Sequence, residues 1–179
     1  MRICIIGSGA MGSLFGGKLS LAGHDVVLYD IFREHVDAVQ RDGLAIEDAA
    51  SGVVAAARPK ASTDPESARG ADALIIFVKS TATAEAAEQF APRAGANTIV
   101  LTLQNGLGNE SIIARRFGKD RTAAGVTSQG ATFLGPGRIR HAGRGPTHIC
   151  MSDGRNEKLA PLCAALEQAG FETHVSADV

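Results

Sequence analysis

"RICIIGSGAMGSLFGGKLSLAG", residues 2–23, is the stretch whose reading decides the fold of this 179-residue chain. Arg2 to Ile6 is a short β-branched run with the character of a buried strand. From Ala10 onward Met11, Leu14, Phe15, Leu19 and Ala22 recur at helical spacing, and Gly23 stands where a left-handed residue closes a helix. Between strand and helix, Gly7-Ser8-Gly9-Ala10-Met11-Gly12 fits the pattern G-x-G-x-x-G. A dinucleotide reading gives each glycine a task. Gly7 permits the tight turn, Gly9 lets a pyrophosphate approach the backbone, and Gly12 packs the helix closely on the strand. The free N–H groups of the helix start then attract phosphate charge. The opposing reading is a turn of small residues in some other α/β protein. The motif alone is a weak signal, but here a strand precedes it and a helix follows. Asp30, 18 residues past Gly12 (30 − 12), ends the next strand, near where a dinucleotide's ribose needs an acid.

Outward from that stretch, apolar strands alternate with helical segments. Asp25–Asp30 reads as a strand, 32–41 as an amphipathic helix, and "GLAIED" and "GVVAAARP" as shorter strands. "ADALIIFVK" (71–79) and "NTIVLTLQNG" (97–106) are buried strands, followed by helices over 83–90 and 109–117. "RTAAGVTSQGA" begins a further strand. "FLGPGRIRHAGRGPTHICM" carries Gly and Pro punctuation between β-like runs, as in a hairpin or meander. A helix over 157–169 and a short strand over 171–175 close the chain. The fold expected is α/β, a doubly wound, Rossmann-like, mostly parallel sheet. Residues 1–179 form a single domain with a C-terminal β-meander and helix.

Composition narrows the function. Lys and Arg number 18 against 19 Asp and Glu, so a net charge of −1 gives no reason to expect nucleic acid or an anionic membrane as partner. With no Trp and one Tyr, a platform for stacking bases is also disfavoured. Cys4, Cys150 and Cys163 form no C-x-x-C pair, a pattern that suits a reducing cytoplasm. No targeting segment is evident, and no apolar run approaches the roughly 20 residues that span a bilayer.

Candidate site residues lie at strand ends, where doubly wound sheets bind their ligands. "FVKST" delivers Lys79, a point charge for ribose hydroxyls, phosphate or a carboxylate; the alternative is a solvated lysine. "LQNGLGNE" delivers Asn105, whose carboxamide both donates and accepts; the alternative is a plain Asn-Gly turn. Asp30 would accept from a ribose 2′-hydroxyl and repel a 2′-phosphate, favouring NAD. It could equally cap the following helix, while Arg33, three residues on, could meet a phosphate instead. The five histidines show no metal-like spacing, and structural or surface roles are expected for each.

With these residues in place, the chain resembles the ketopantoate reductase (2-dehydropantoate 2-reductase) family over essentially its whole length. The likeness rests on "IGSGAMGSLFGGKL", "RDGLAIED", "FVKSTAT", "LQNGLGNE", "GVTSQGATFLGPGRIRHAGRGPTHI" and "LEQAGFETHVSADV". The resemblance implies NADP(H)-dependent reduction of a 2-oxo acid, ketopantoate to pantoate, in pantothenate synthesis. It implies pyrophosphate binding by Gly7, Ser8, Gly9, Ala10, Met11 and Gly12, cofactor contact by Lys79, cofactor and substrate contact by Asn105, and Ala131 at the nicotinamide end. Asp30 departs from the basic or small residue frequent there among NADPH users, which keeps NAD(H) open. In the family a helical domain follows and carries the lysine that protonates the alkoxide. That domain is absent from residues 1–179, and the general acid is expected beyond Val179. Exposure of the surface that normally meets it would favour homodimers. Two rivals remain: a reductase of another branched 2-oxo acid on the same scaffold, and a non-catalytic NAD(P)-sensing Rossmann module.

Overall fold

Ile3 and Ile5 are buried in one apolar core, while Cys4 and Ile6 are buried in a second. That two-residue alternation, with neither parity polar, places the strand Arg2–Ile6 (β1) in a sheet covered on both faces. The computed structural model describes residues 1–177. Among them the strands after β1 are β2 (Asp25–Tyr29), β3 (Leu44–Asp48), β4 (Val54–Ala57), β5 (Lys60–Ser62), β6 (Ala73–Ile76) and β7 (Ile99–Thr102). They continue as β8 (Thr122–Thr127), β9 (Gly130–Gly135), β10 (Arg138–Gly143), β11 (Thr147–Met151) and β12 (Thr173–Val175). The main sheet runs β12-β11-β8-β7-β6-β1-β2-β5. Its neighbours pair in parallel except β11 with β8.

From β1 the chain winds outward to β2 and β5, then returns to β6 on β1's other side. The carboxyl ends of β1 and β6 therefore flank the switch point at which such sheets hold ligands. Among the described residues the α-helices are α1 (Ala10–Leu21), α2 (Arg33–Asp42), α3 (Thr83–Phe90), α4 (Asn109–Phe117) and α5 (Ala160–Gln168). Leu14, Phe15, Leu19, Val36, Val39, Leu162 and Leu166 place α1, α2 and α5 in the core with Ile3 and Ile5. Ala86, Ala87, Phe90, Ile113 and Phe117 place α3 and α4 in the core with Cys4 and Ile6.

The hairpin read in 133–151 is present as β9 and β10; what the sequence did not show is the sheet it joins. β8 and β11 pair antiparallel in the main sheet, whereas β9 and β10 leave it as a hairpin and join a second sheet of order β4-β3-β10-β9. Helix α1 lies between the two sheets and is apolar nearly all round for that reason. A Cβ on Gly16 would collide with Leu28 of the main sheet, and one on Gly17 would stand 2.6 Å from Ile46 of β3. The short edge strand β5 was also not expected, because three residues carry no periodicity to read.

Candidate functional site: the glycine turn and the cleft above it

The turn after β1 is shaped by three glycines with different duties. Gly7 has φ +92°, the left-handed region, and a Cβ there would lie 2.7 Å from the Val78 backbone nitrogen. The tip of β1 thus passes directly against the segment leaving β6. A Cβ on Gly12 would overlap the Gly7 carbonyl oxygen and come 3.1 Å from Ile5, so only glycine lets α1 start so close to the strand. Gly9 is the contrast: no atom lies within 4 Å of where its Cβ would be. It precedes α1, whose start has no side-chain cap and no acidic residue in its first turn. An uncapped helix start with open space at its last extended residue is the environment an anionic phosphate fits.

Above this turn lies a cleft of about 420 Å³, bordered by Gly7, Gly9, Asp30, Lys79, Glu85 and Gln89 among others. The structure therefore brings together four residues singled out from sequence. Lys79 follows β6 at the head of a 3₁₀ turn (Ser80–Ala82), and its side chain is exposed. Asn105 is also exposed, on the turn after β7, and is not among the residues lining that cleft. Ala131 lies in β9, paired with His141 and packed against the core that contains α1. Arg33 is exposed on the first turn of α2. A second cleft, about 430 Å³, includes Met1, Asp72, Ile99 and Arg121 at the amino ends of the strands, the end where doubly wound sheets do not bind their ligands.

Asp30 has a role that the sequence did not reveal. Its Oδ2 accepts from the Ser8 N–H at 2.6 Å and from the Ser8 hydroxyl at 3.3 Å, and its Oδ1 accepts from the Phe32 N–H at 2.9 Å. The carboxylate clips the glycine turn to the end of β2 and shapes the entry to α2. Behind the turn, the Ser13 hydroxyl donates to the Ser8 carbonyl at 2.6 Å and lies 3.1 Å from His35 Nε2. His35 Nδ1 accepts from the Gly137 N–H at 3.1 Å, which assigns the ring proton to Nε2. Burial lowers the His35 pKa below its ordinary 6.5, partly opposed by Asp30. His141, also buried, is likewise lowered and holds Gln129 at 2.8 Å. Both rings are held in the interior by these hydrogen bonds. Among the described residues no three His, Cys, Asp or Glu gather as a metal site would require, and no helix is long and apolar enough to cross a membrane.

A mostly parallel sheet whose first strand runs into a glycine turn and an uncapped helix, with an acid at the end of the second strand, defines a Rossmann-type α/β fold. The chain belongs to the ketopantoate reductase PanE/ApbA family, whose model matches residues 3–154. It is 39% identical over 178 residues to the 2-dehydropantoate 2-reductase of Halobacterium salinarum, covering 99% of this chain and 58% of the relative. It is 37% identical to that of Pyrococcus horikoshii, covering 100% and 57%. Among solved structures it superposes on a PanE/ApbA family ketopantoate reductase from Ralstonia eutropha with TM-score 0.86 and 35% identity, covering 98% of this chain and 56% of that one. It superposes on D-mandelate dehydrogenase with NADH and anilino(oxo)acetate with TM-score 0.89 and 29% identity, covering 98% and 57%. The chain thus spans somewhat over half the length of the relatives it matches.

Proposed function

We propose that this chain is the cofactor-binding half of a cytoplasmic reductase that converts a 2-oxo acid, 2-dehydropantoate, to its 2-hydroxy acid. The observation that carries the reading is the Gly9 opening at the uncapped start of α1, beneath a cleft that Asp30 and Lys79 border. When bound there, a reduced nicotinamide would supply the hydride for the substrate carbonyl carbon. The first turn of α1 holds the pyrophosphate, Asp30 receives the adenosine ribose, and Lys79 adds positive charge along the cofactor. Asn105 presents its carboxamide to cofactor and substrate, and Ala131 borders the nicotinamide. The proton for the nascent alkoxide is assigned, by family resemblance, to a lysine outside these 179 residues.

The family resemblance puts NADPH first, but the ribose corner favours NADH. The cleft has two carboxylates, Asp30 and Glu85, against one ammonium, Lys79. A 2′-phosphate brings up to two more negative charges. Two like unit charges about 4 Å apart repel by about 1 kcal/mol in bulk water and by about 4 kcal/mol near a protein surface. Calorimetric titration of the chain with each coenzyme tests both claims: NADH should bind, and roughly tenfold or more tighter than NADPH. Absence of heat with either would refute the function, and tighter NADPH would refute the assignment to Asp30.

A second reading, reduction of another branched 2-oxo acid, is favoured by the likeness to D-mandelate dehydrogenase. Turnover of a panel of 2-oxo acids by the protein carrying both halves separates the two. The chain by itself should turn over negligibly.

A further inference from the structure

Lys79 and Asn105 stand on different loops, one after β6 and one after β7, and solvent-exposed loops do not hold two side chains in register unaided. Beneath them runs a chain of hydrogen bonds between four polar side chains, three buried and Gln104 half-buried. The Thr102 hydroxyl donates to Gln104 Oε1 at 2.9 Å. Gln104 Nε2 donates twice, to the Val78 carbonyl at 2.6 Å and to the Thr83 hydroxyl at 2.9 Å. That hydroxyl donates to Asn109 Oδ1 at 2.9 Å. Asn109 Nδ2 also donates twice, to the carbonyls of Asn105 at 3.1 Å and Gly106 at 3.2 Å.

Both amides are used fully: each has two N–H donors placed and its oxygen accepting. Turning either one over would set oxygen against oxygen or donor against donor. The network therefore has one arrangement. Its two ends are the peptide that leads into Lys79 and the carbonyl of Asn105 itself. Fully satisfied in this way, a buried polar network rigidifies the segments it joins.

We propose that Thr83, with Gln104 and Asn109, is a positioning residue: it fixes the spacing between Lys79 and Asn105, and hence how the two meet the nicotinamide end of the coenzyme. The inference rests on the function proposed above. Thr83 touches neither coenzyme nor substrate in this account. It acts through Asn105, and that distinction is measurable.

The test is a double-mutant cycle on NADH binding to the chain, read by calorimetry, with Thr83→Val, Asn105→Ala and the pair together. Thr83→Val keeps the branched shape, removes the central hydroxyl, and leaves Gln104 Nε2 and Asn109 Oδ1 each short of a partner. Each single change should weaken NADH roughly tenfold, and the pair should weaken it little more than Asn105→Ala alone, because residues acting as a unit are not additive. Thr83→Ser, which restores the hydroxyl, should recover most of the loss. Additive losses, or no loss with Thr83→Val, would overturn the proposal while leaving the coenzyme site intact. If the parent chain binds no NADH, the functional reading and this inference fall together. Should Thr83→Val not fold, Gln104→Glu replaces it in the same cycle, since it removes the donors to Val78 and Thr83 at constant shape.

Discussion

Gly9 and Gly12 are both glycines of one turn, yet the structure predicts opposite consequences for replacing them by alanine. At Gly9 the added methyl meets no atom within 4 Å, and φ −61° is ordinary for any residue. Gly9→Ala therefore leaves the fold unstrained and stabilises it by about 0.4–1 kcal/mol through a less flexible unfolded chain. The same methyl occupies the space where the pyrophosphate must approach the first turn of α1. A hydrogen bond to a charged group is worth about 1.5–3 kcal/mol. Displacing one or two costs about 3 kcal/mol, a little over two decades in Kd. Gly12→Ala instead drives a methyl into the Gly7 carbonyl and against Ile5. Such overpacking costs about 1–3 kcal/mol, or roughly 3–10 °C in Tm for a chain of this size. The assay is thermal melting of the three proteins, paired with NADH titration followed by nicotinamide emission, which no tryptophan in this chain can contaminate. Gly9→Ala should melt at or above the parent and bind about a hundredfold more weakly. A Gly9→Ala protein that keeps full affinity would refute the claim that the open space belongs to the pyrophosphate.

Three further outcomes follow from other parts of the molecule. Buried His35 and His141 have pKa values held below 6.5, so the unfolded chain binds protons that the folded chain refuses. Stability should be level above pH 7 and fall as pH drops below 6.5, by at most about 1.4 kcal/mol per pH unit for each histidine. Urea unfolding between pH 5 and 8 should show a shallower slope in His35→Gln, and an unchanged slope would contradict the assignment. The Cys4 thiol is buried and its pKa is pushed up to about 12, so iodoacetamide should leave it unmodified in the folded chain and label it promptly in urea. Asp30→Ser removes the charge that faces a 2′-phosphate, and calorimetry should show NADPH affinity rising relative to NADH; an unchanged ratio would place the discrimination elsewhere.

The part of the fold readable in sequence is the part made by local pattern. Continuous apolar strands, helical spacing from Ala10 and the glycine at Gly23, which has φ +88°, each announce themselves within a few residues. The strands of the second sheet were readable, β3 and β4 from "GLAIED" and "GVVAAARP" and the β9–β10 hairpin from its Gly and Pro punctuation, but their union was not, because the two pairs join only where β10 meets β3, as in the Arg140–Glu47 pair 93 residues apart in the chain. The candidate site divides the same way. Gly7, Gly9, Gly12, Asp30 and Lys79 could be named from spacing relative to strands. The clip from Asp30 to Ser8 and the relay through Thr83 and Asn109 could not, since hydroxyls and amides in polar loops look alike until folding decides which are buried. Gln104 and Asn109, flanking the Asn105 turn, were within the quoted motif, and only burial distinguishes them from ordinary turn residues.

At 18.5 kDa the chain suits residue-by-residue mapping of amide chemical shifts during titration with NADH. The largest shifts should fall on Gly7–Gly12, Asp30, Lys79 and the Asn105–Gly108 turn, saturating together. Shifts confined to Ala96, Asn97 and Arg121 at the opposite cleft, or no shifts at millimolar coenzyme, would contradict the proposed coenzyme site.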